Sequence, residues 1–130
     1  MKAGLTAAVL TATALPALAE TAPKRGPLDA RVTYATYQEG QVYRITTRLR
    51  TVTLVELGDG ERIQSIAIGD SESFQIDKLE GANVFTVKPV IQGAATNMTV
   101  ETNRRFYFIN LVETSRGTPS WSVKFTVPGE

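Results

Sequence analysis

The chain has 130 residues, 14 Lys+Arg against 13 Asp+Glu, and neither His nor Cys. Without those two residue types there is no Ser-His-Asp triad, no cysteine nucleophile, no zinc finger and no disulfide. A net charge of +1 gives no electrostatic footprint for nucleic acid, which calls for a clearly basic face.

The first elements read as an address. Lys2 is the only charge before Glu20, Ala3 to Leu15 is small and apolar, Pro16 interrupts, and Ala17-Leu18-Ala19 supplies a small-residue cleavage site. These are the parts of a secretory signal peptide over residues 1–19. The apolar run falls short of the roughly 20 residues that cross a bilayer, and no Cys follows to carry a lipid. Clipping it removes Lys2 and leaves acids and bases balanced, a composition that weakens self-repulsion and favours association. An exported chain without disulfides must be held by its core, which fits a bacterial periplasm better than a small secreted toxin. Residues 20–28, with two prolines and a glycine, read as a flexible leader.

From residue 29 to 128 the pattern has period two. Tyr43, Ile45, Thr47 and Leu49 alternate with Arg44, Thr46, Arg48 and Arg50, which predicts a strand with one buried face and one wet, positive face. Thr51 to Leu57 is a second run, ended by Gly58-Asp59-Gly60, a strong turn signal. Ile63, Ile66 and Ile68 lead into Gly69-Asp70-Ser71, where Gly69 permits a positive φ and Asp70 or Ser71 can accept from turn amides. Phe74 and Ile76, then Phe85 and Val87, then Met98, Val100 and Thr102 mark further strands. Phe106, Phe108 and Asn110 alternate with Tyr107, Ile109 and Leu111, so that run is apolar on both faces and belongs in the middle of a sheet. Trp121, Val123, Phe125 and Val127 close the pattern. Eight or nine short strands and no 3.6-residue period predict an all-β, antiparallel β-sandwich.

Carboxylates are the only candidates for acid–base work. Asp59, Glu61, Asp70, Glu72, Asp77 and Glu80 cluster, but at turns and strand ends, where acids serve solubility and Asx turns. They lack both the opposed pair of a glycosidase and the loop spacing of a calcium site. The expectation is no catalytic residue, no metal and no cofactor. Of the aromatics Tyr34, Tyr37, Tyr43, Phe106, Tyr107, Phe108 and Trp121, most fall at core-facing positions. Tyr34 and Tyr37 have opposite parity, so at least one is free to anchor a protein contact. With Arg44, Arg48 and Arg50 on the wet face and Asp70 and Glu72 in the shaped turn, they form the expected interface set.

Several segments then stand in a familiar order: Asp29-Ala30-Arg31-Val32-Thr33-Tyr34; Gly60-Glu61-Arg62-Ile63 through Gly69-Asp70-Ser71; Val87-Lys88-Pro89; Ala95-Thr96-Asn97-Met98-Thr99-Val100; and Thr102-Asn103-Arg104-Arg105-Phe106-Tyr107-Phe108. Together they resemble the TrbG/CagX-type conjugal transfer family, whose VirB representative is the ninth subunit of type IV secretion systems. Phe74 stands where the family more often has Trp. The resemblance implies a β-sandwich and a periplasmic, non-enzymatic component of a DNA- or effector-transfer channel. It also implies assembly with the tenth VirB-type subunit and a small lipoprotein into the ring of an outer-membrane core complex, with membrane association only through partners. The family's second sandwich follows a linker, and this chain stops at Pro128-Gly129-Glu130, about where that linker would begin, so the C-terminal domain is expected to be absent. The alternative is a free-standing periplasmic binding module for glycan or peptide; a carboxylate hydrolase comes third.

Overall fold

The structure, a computed structural model, describes Gly4 and residues 19–129. The segment expected as a signal peptide therefore lies almost entirely outside the described residues. Ten strands follow in order: β1 (Lys24–Arg25), β2 (Val32–Thr36), β3 (Val42–Thr47), β4 (Thr53–Glu56), β5 (Ile63–Ile68), β6 (Phe74–Lys78), β7 (Val84–Pro89), β8 (Ala95–Thr102), β9 (Phe106–Glu113) and β10 (Ser122–Thr126). They form a six-stranded sheet in the order β1-β2-β10-β4-β7-β6 and a four-stranded sheet in the order β3-β9-β8-β5. The all-β expectation holds. The antiparallel one is corrected, because both sheets are mixed. β10 slots between β2 and β4 and runs parallel to each, and β3 runs parallel to β9. Parallel neighbours need long crossovers, and here the intervening strands, drawn from both sheets, supply them.

The inward faces interlock in a core built from Tyr43, Ile45, Val55, Leu57, Phe85, Val87, Met98, Val100, Tyr107, Ile109, Leu111, Val123 and Phe125. Phe125 sits between two tyrosines, its ring centroid 4.9 Å from that of Tyr43 and 5.0 Å from that of Tyr107, both edge-to-face. That arrangement suits the ring quadrupoles. Each buried hydroxyl finds partners: Tyr43 donates to Thr36 O at 2.9 Å and accepts from the Gln38 amide at 2.7 Å, which fixes the corner where the chain leaves β2 for β3. β9 lies between β3 and β8, as its two-sided apolar pattern implies.

Four expectations are revised in detail. β3 ends at Thr47, so Arg48 and Arg50 lie in the following turn, where Arg50 has φ 60°, and the arginines do not line one strand face. Most of the named aromatics are not in the core: only Tyr43 and Tyr107 are buried, while Phe106 is 51% and Trp121 49% exposed. Tyr107, Ile109 and Leu111 occupy the inward face of β9, which turns Phe106 and Phe108 outward; β10 begins at Ser122, so Trp121 precedes the strand. Gly69 does not adopt a positive φ. A Cβ there would stand 2.7 Å from both Asn97 Oδ1 and Thr96 Oγ1, so any other residue would have to displace those side chains. Residues 20–28 also meet both sheets. Thr21 donates to Val42 O at 2.9 Å and accepts from the Arg44 amide at 3.0 Å, while Lys24 and Arg25 pair with Tyr34 and Thr33.

Candidate functional site

The sharpest polar constellation lies inside the sandwich, and sequence reasoning missed it. Glu61 follows the Gly58-Asp59-Gly60 turn, where an exposed acid is expected, yet it is 2% exposed. Its Oε1 accepts from Thr102 Oγ1 at 2.6 Å and its Oε2 from Tyr107 Oη at 2.7 Å, with Arg105 Nε 3.2 Å away. The Gly58 amide donates to the same Tyr107 hydroxyl at 3.2 Å, and a Cβ on Gly58 would collide with the Glu61 carboxylate. Thr102 sits at the end of β8 and its Oγ1 also accepts from the Arg104 and Arg105 amides at 3.1 Å each, shaping the β8–β9 turn. The spacing Thr102-x-x-Arg105-x-Tyr107 is thus a three-pronged grip on one buried carboxylate. Burial, then the Glu61 carboxylate beside it, raises the Tyr107 phenol well above its ordinary value, so the hydroxyl stays a donor. A buried charge needs such partners. The signal that pointed to it was Tyr107 itself, an inward residue whose hydroxyl had to find an acceptor.

The grip leads to the surface. Arg105 passes over the Tyr37 ring, its guanidinium carbon 5.1 Å from the centroid, and Tyr37 packs edge-on against Tyr107 at 5.0 Å while donating to Phe106 O at 3.1 Å. Directly beyond, Phe106 and Phe108 stack nearly parallel with centroids 6.5 Å apart. Phe108 is opposite Val42 on β3 and Thr99 on β8, so the outer face of the four-stranded sheet carries an apolar ridge. An open hollow lies on each side of it. One, of about 690 Å³, is bordered by Tyr37, Gln64, Glu101 and Arg104; the other, of about 720 Å³, by Glu20, Gln41, Asn97 and Asn110.

The expected interface residues are dispersed around the fold. Tyr34 is exposed on the outer face of the six-stranded sheet, in register with Lys24 and Lys124. Tyr37 is half-buried in the network just described. Arg44 stands on the outer face of the edge strand β3, 3.6 Å from Glu20. Arg48 is engaged within the chain, donating to Gly117 O at 2.6 Å and Thr114 O at 3.2 Å, and Arg50 is exposed in its turn. Asp70 and Glu72 lie past the opposite edge of the sheet. Asp70 accepts from the Glu72 and Ser73 amides at 3.1 Å and from Ser73 Oγ at 2.6 Å; the Ser73 hydroxyl, foremost, holds its carboxyl below the usual range. A second exposed cluster was not singled out in advance. Arg31 is clasped by Asp29 at 2.9 and 2.7 Å and lies 4.1 Å from the centroid of the Trp121 ring. The Arg31 hydrogen bonds, first among the causes, pull the Asp29 carboxyl far below its ordinary value.

Among the described residues no cluster of acidic side chains is placed to hold a metal ion. The chain is 37% identical over 71 residues to Protein virB9 of Agrobacterium fabrum, covering 55% of this chain and 24% of that protein. It is 31% identical over 90 residues to Type IV secretion system protein virB9 of Bartonella henselae, covering 69% and 31%. It is 27% identical over 135 residues to Protein virB9 of Rhizobium radiobacter, covering 95% and 45%. The chain thus spans less than half the length of these relatives. The CagX family model, described as conjugal transfer protein, matches residues 30–130. The family is one of structural secretion components, and the chain is not an enzyme. By that match, which covers β2 to β10, this chain belongs to the CagX family of conjugal transfer proteins.

Proposed function

We propose that the chain is a structural component of a type IV secretion channel, exported to the periplasm, where copies pack side by side in the ring of the outer-membrane core complex. The observation that carries this reading is the Phe106–Phe108 ridge, a rigid aromatic surface that projects from a sheet face and is anchored from below by the Glu61 network. Exposed aromatics on a preorganised scaffold are the usual energetic centres of protein contacts. Support also comes from the printed name of the Bartonella relative, a type IV secretion system protein. A tenth VirB-type subunit is the expected partner. Neighbouring copies would meet through unlike surfaces, as cyclic closure requires, with Arg44 and Tyr34 as further contact groups. Co-expression with the tenth-subunit homologue followed by size analysis tests the reading. A ring or co-complex is expected, lost in Phe108→Asp while that variant alone keeps its melting temperature. A mixture in which both proteins elute separately at high concentration overturns it.

The hollows beside Phe108 favour a second reading, a peptide- or glycan-binding face. A ligand-induced rise in melting temperature without any assembly would select it over the first.

A further inference from the structure

A sheet edge is a row of unpaired backbone groups that invites another strand, and proteins blunt such edges with charge, proline or a covering segment. Three of the four edges here are blunted. β3 carries Thr21, bonded to Val42 and Arg44; β1 consists of Lys24 and Arg25; β6 contains Asp77 and Lys78. The fourth, β5, reads Ile-Gln-Ser-Ile-Ala-Ile, with neither charge nor proline. Its start is occupied, since the Ile63 amide donates to Ala82 O at 2.9 Å and the Arg62 carbonyl accepts from Asn103 at 3.0 Å. A register shift between Ile63 and Ser65 then gives way to regular pairing of Ser65–Ile68 with β8 alone. Among the described residues no other backbone bonds to that stretch.

We infer that Ser65–Ile68 is the pairing edge for a second copy of this chain, joined antiparallel about a two-fold axis at Ala67. Two observations favour a second copy over any other strand. Side chains opposite each other in an antiparallel pair share a face. Centring on Ala67 therefore sets Ile66 against the partner copy's Ile68, both half-buried on the core side, and Ala67 against its own counterpart on the outer side. Charge agrees with the same register: exposed Arg62 precedes β5, while the Asp70–Glu72 turn follows it. The two-fold operation brings each Arg62 alongside the other copy's acidic turn, twice over. This pairing leaves the Phe106–Phe108 ridge and Arg44 untouched, so it goes beyond ring packing and uses a separate surface.

Sedimentation equilibrium of the purified chain tests it. A reversible dimer is expected. Ala67→Lys and Ala67→Glu each place like charges face to face and should weaken self-association on the order of 100-fold. Both leave the monomer folded, because Ala67 is exposed. Mixing these two variants should restore a dimer, now mixed, and Arg62→Glu should be rescued by adding Glu72→Arg. A wild-type chain that stays monomeric to millimolar concentration, a dimer indifferent to Ala67→Lys, or a mixture that remains monomeric overturns the inference. Slowed amide exchange at Ser65–Ile68 that appears only with another channel subunit would assign the edge to that subunit, and also overturns it.

Discussion

Two buried glutamates sit at opposite ends of β9 and solve the same problem differently. Glu61, at the end where β9 starts, is held by side chains: a threonine and a tyrosine hydroxyl and a guanidinium. Glu113, the last residue of β9, is held by backbone, accepting from the Gly93 amide at 2.7 Å and the Leu49 amide at 3.2 Å. The first grip locks core residues to the β8–β9 turn. The second ties two loops to the sheet and touches no core side chain through these bonds. One carboxylate organises the interior; the other organises its rim.

Substitutions should separate the two roles. Glu61→Ala removes the acceptor of the Thr102 and Tyr107 hydroxyls and an ion partner of Arg105 from a buried site, and should cost about 3–5 kcal/mol, read as a large drop in denaturant midpoint. If the loss were under 1 kcal/mol, the pair would be behaving like a surface ion pair and the comparison would fail. Glu113→Ala leaves two amides without an acceptor and should cost about 1–3 kcal/mol. Its distinguishing mark is faster amide exchange confined to residues 48–51 and 91–94. Exchange that instead quickens along β8 and β9 would mean the rim supports the core.

Tyr107→Phe removes one donor to Glu61 while keeping the ring packed between Tyr37 and Phe125, and should cost about 1–2 kcal/mol. The pH dependence sharpens this. In the unfolded chain Tyr107 ionises near 10.0, its ordinary value, whereas the fold raises that value. Its contribution is therefore complete below pH 10 and is lost as pH rises above it, when the unfolded state alone gains a tyrosinate. Stability should fall less steeply above pH 10 in Tyr107→Phe than in the wild type, as measured by denaturation at a series of alkaline pH values. Smallest of all, Asp29→Asn loosens an exposed clasp that belongs to neither glutamate, and should move the melting temperature by less than about 2 °C.

The same contrast explains what could be read from the residues alone. Alternation at Tyr107, Ile109 and Leu111 announces an inward face, and the second apolar set at Phe106 and Phe108 announces a central strand. The outward stack of those phenylalanines is less legible, because period two tells that faces differ and not which of two apolar faces meets the core. Glu61 sits in a stretch that looks like any polar turn; its burial depends on Thr102, Arg105 and Tyr107, about forty residues onward. The segments 60–63 and 102–108 are recognisable as parts of a family pattern, yet their mutual contact is a fact of three dimensions. Glu113 is harder still, since backbone amides leave no mark in composition. The parallel strands were hidden for a related reason: turn signals mark where the chain reverses, not which distant strand ends up beside it.

The place of β10 has a consequence for the order of events during biogenesis. Because β10 lies between β2 and β4, the larger sheet stays in two pieces until residues 122–126 have emerged. Pairing partners some 90 positions apart at Thr33 and Val123 make closure late and slow. β10 is thus a keystone: the β1-β2 and β4-β7-β6 parts cannot join into one sheet before it arrives.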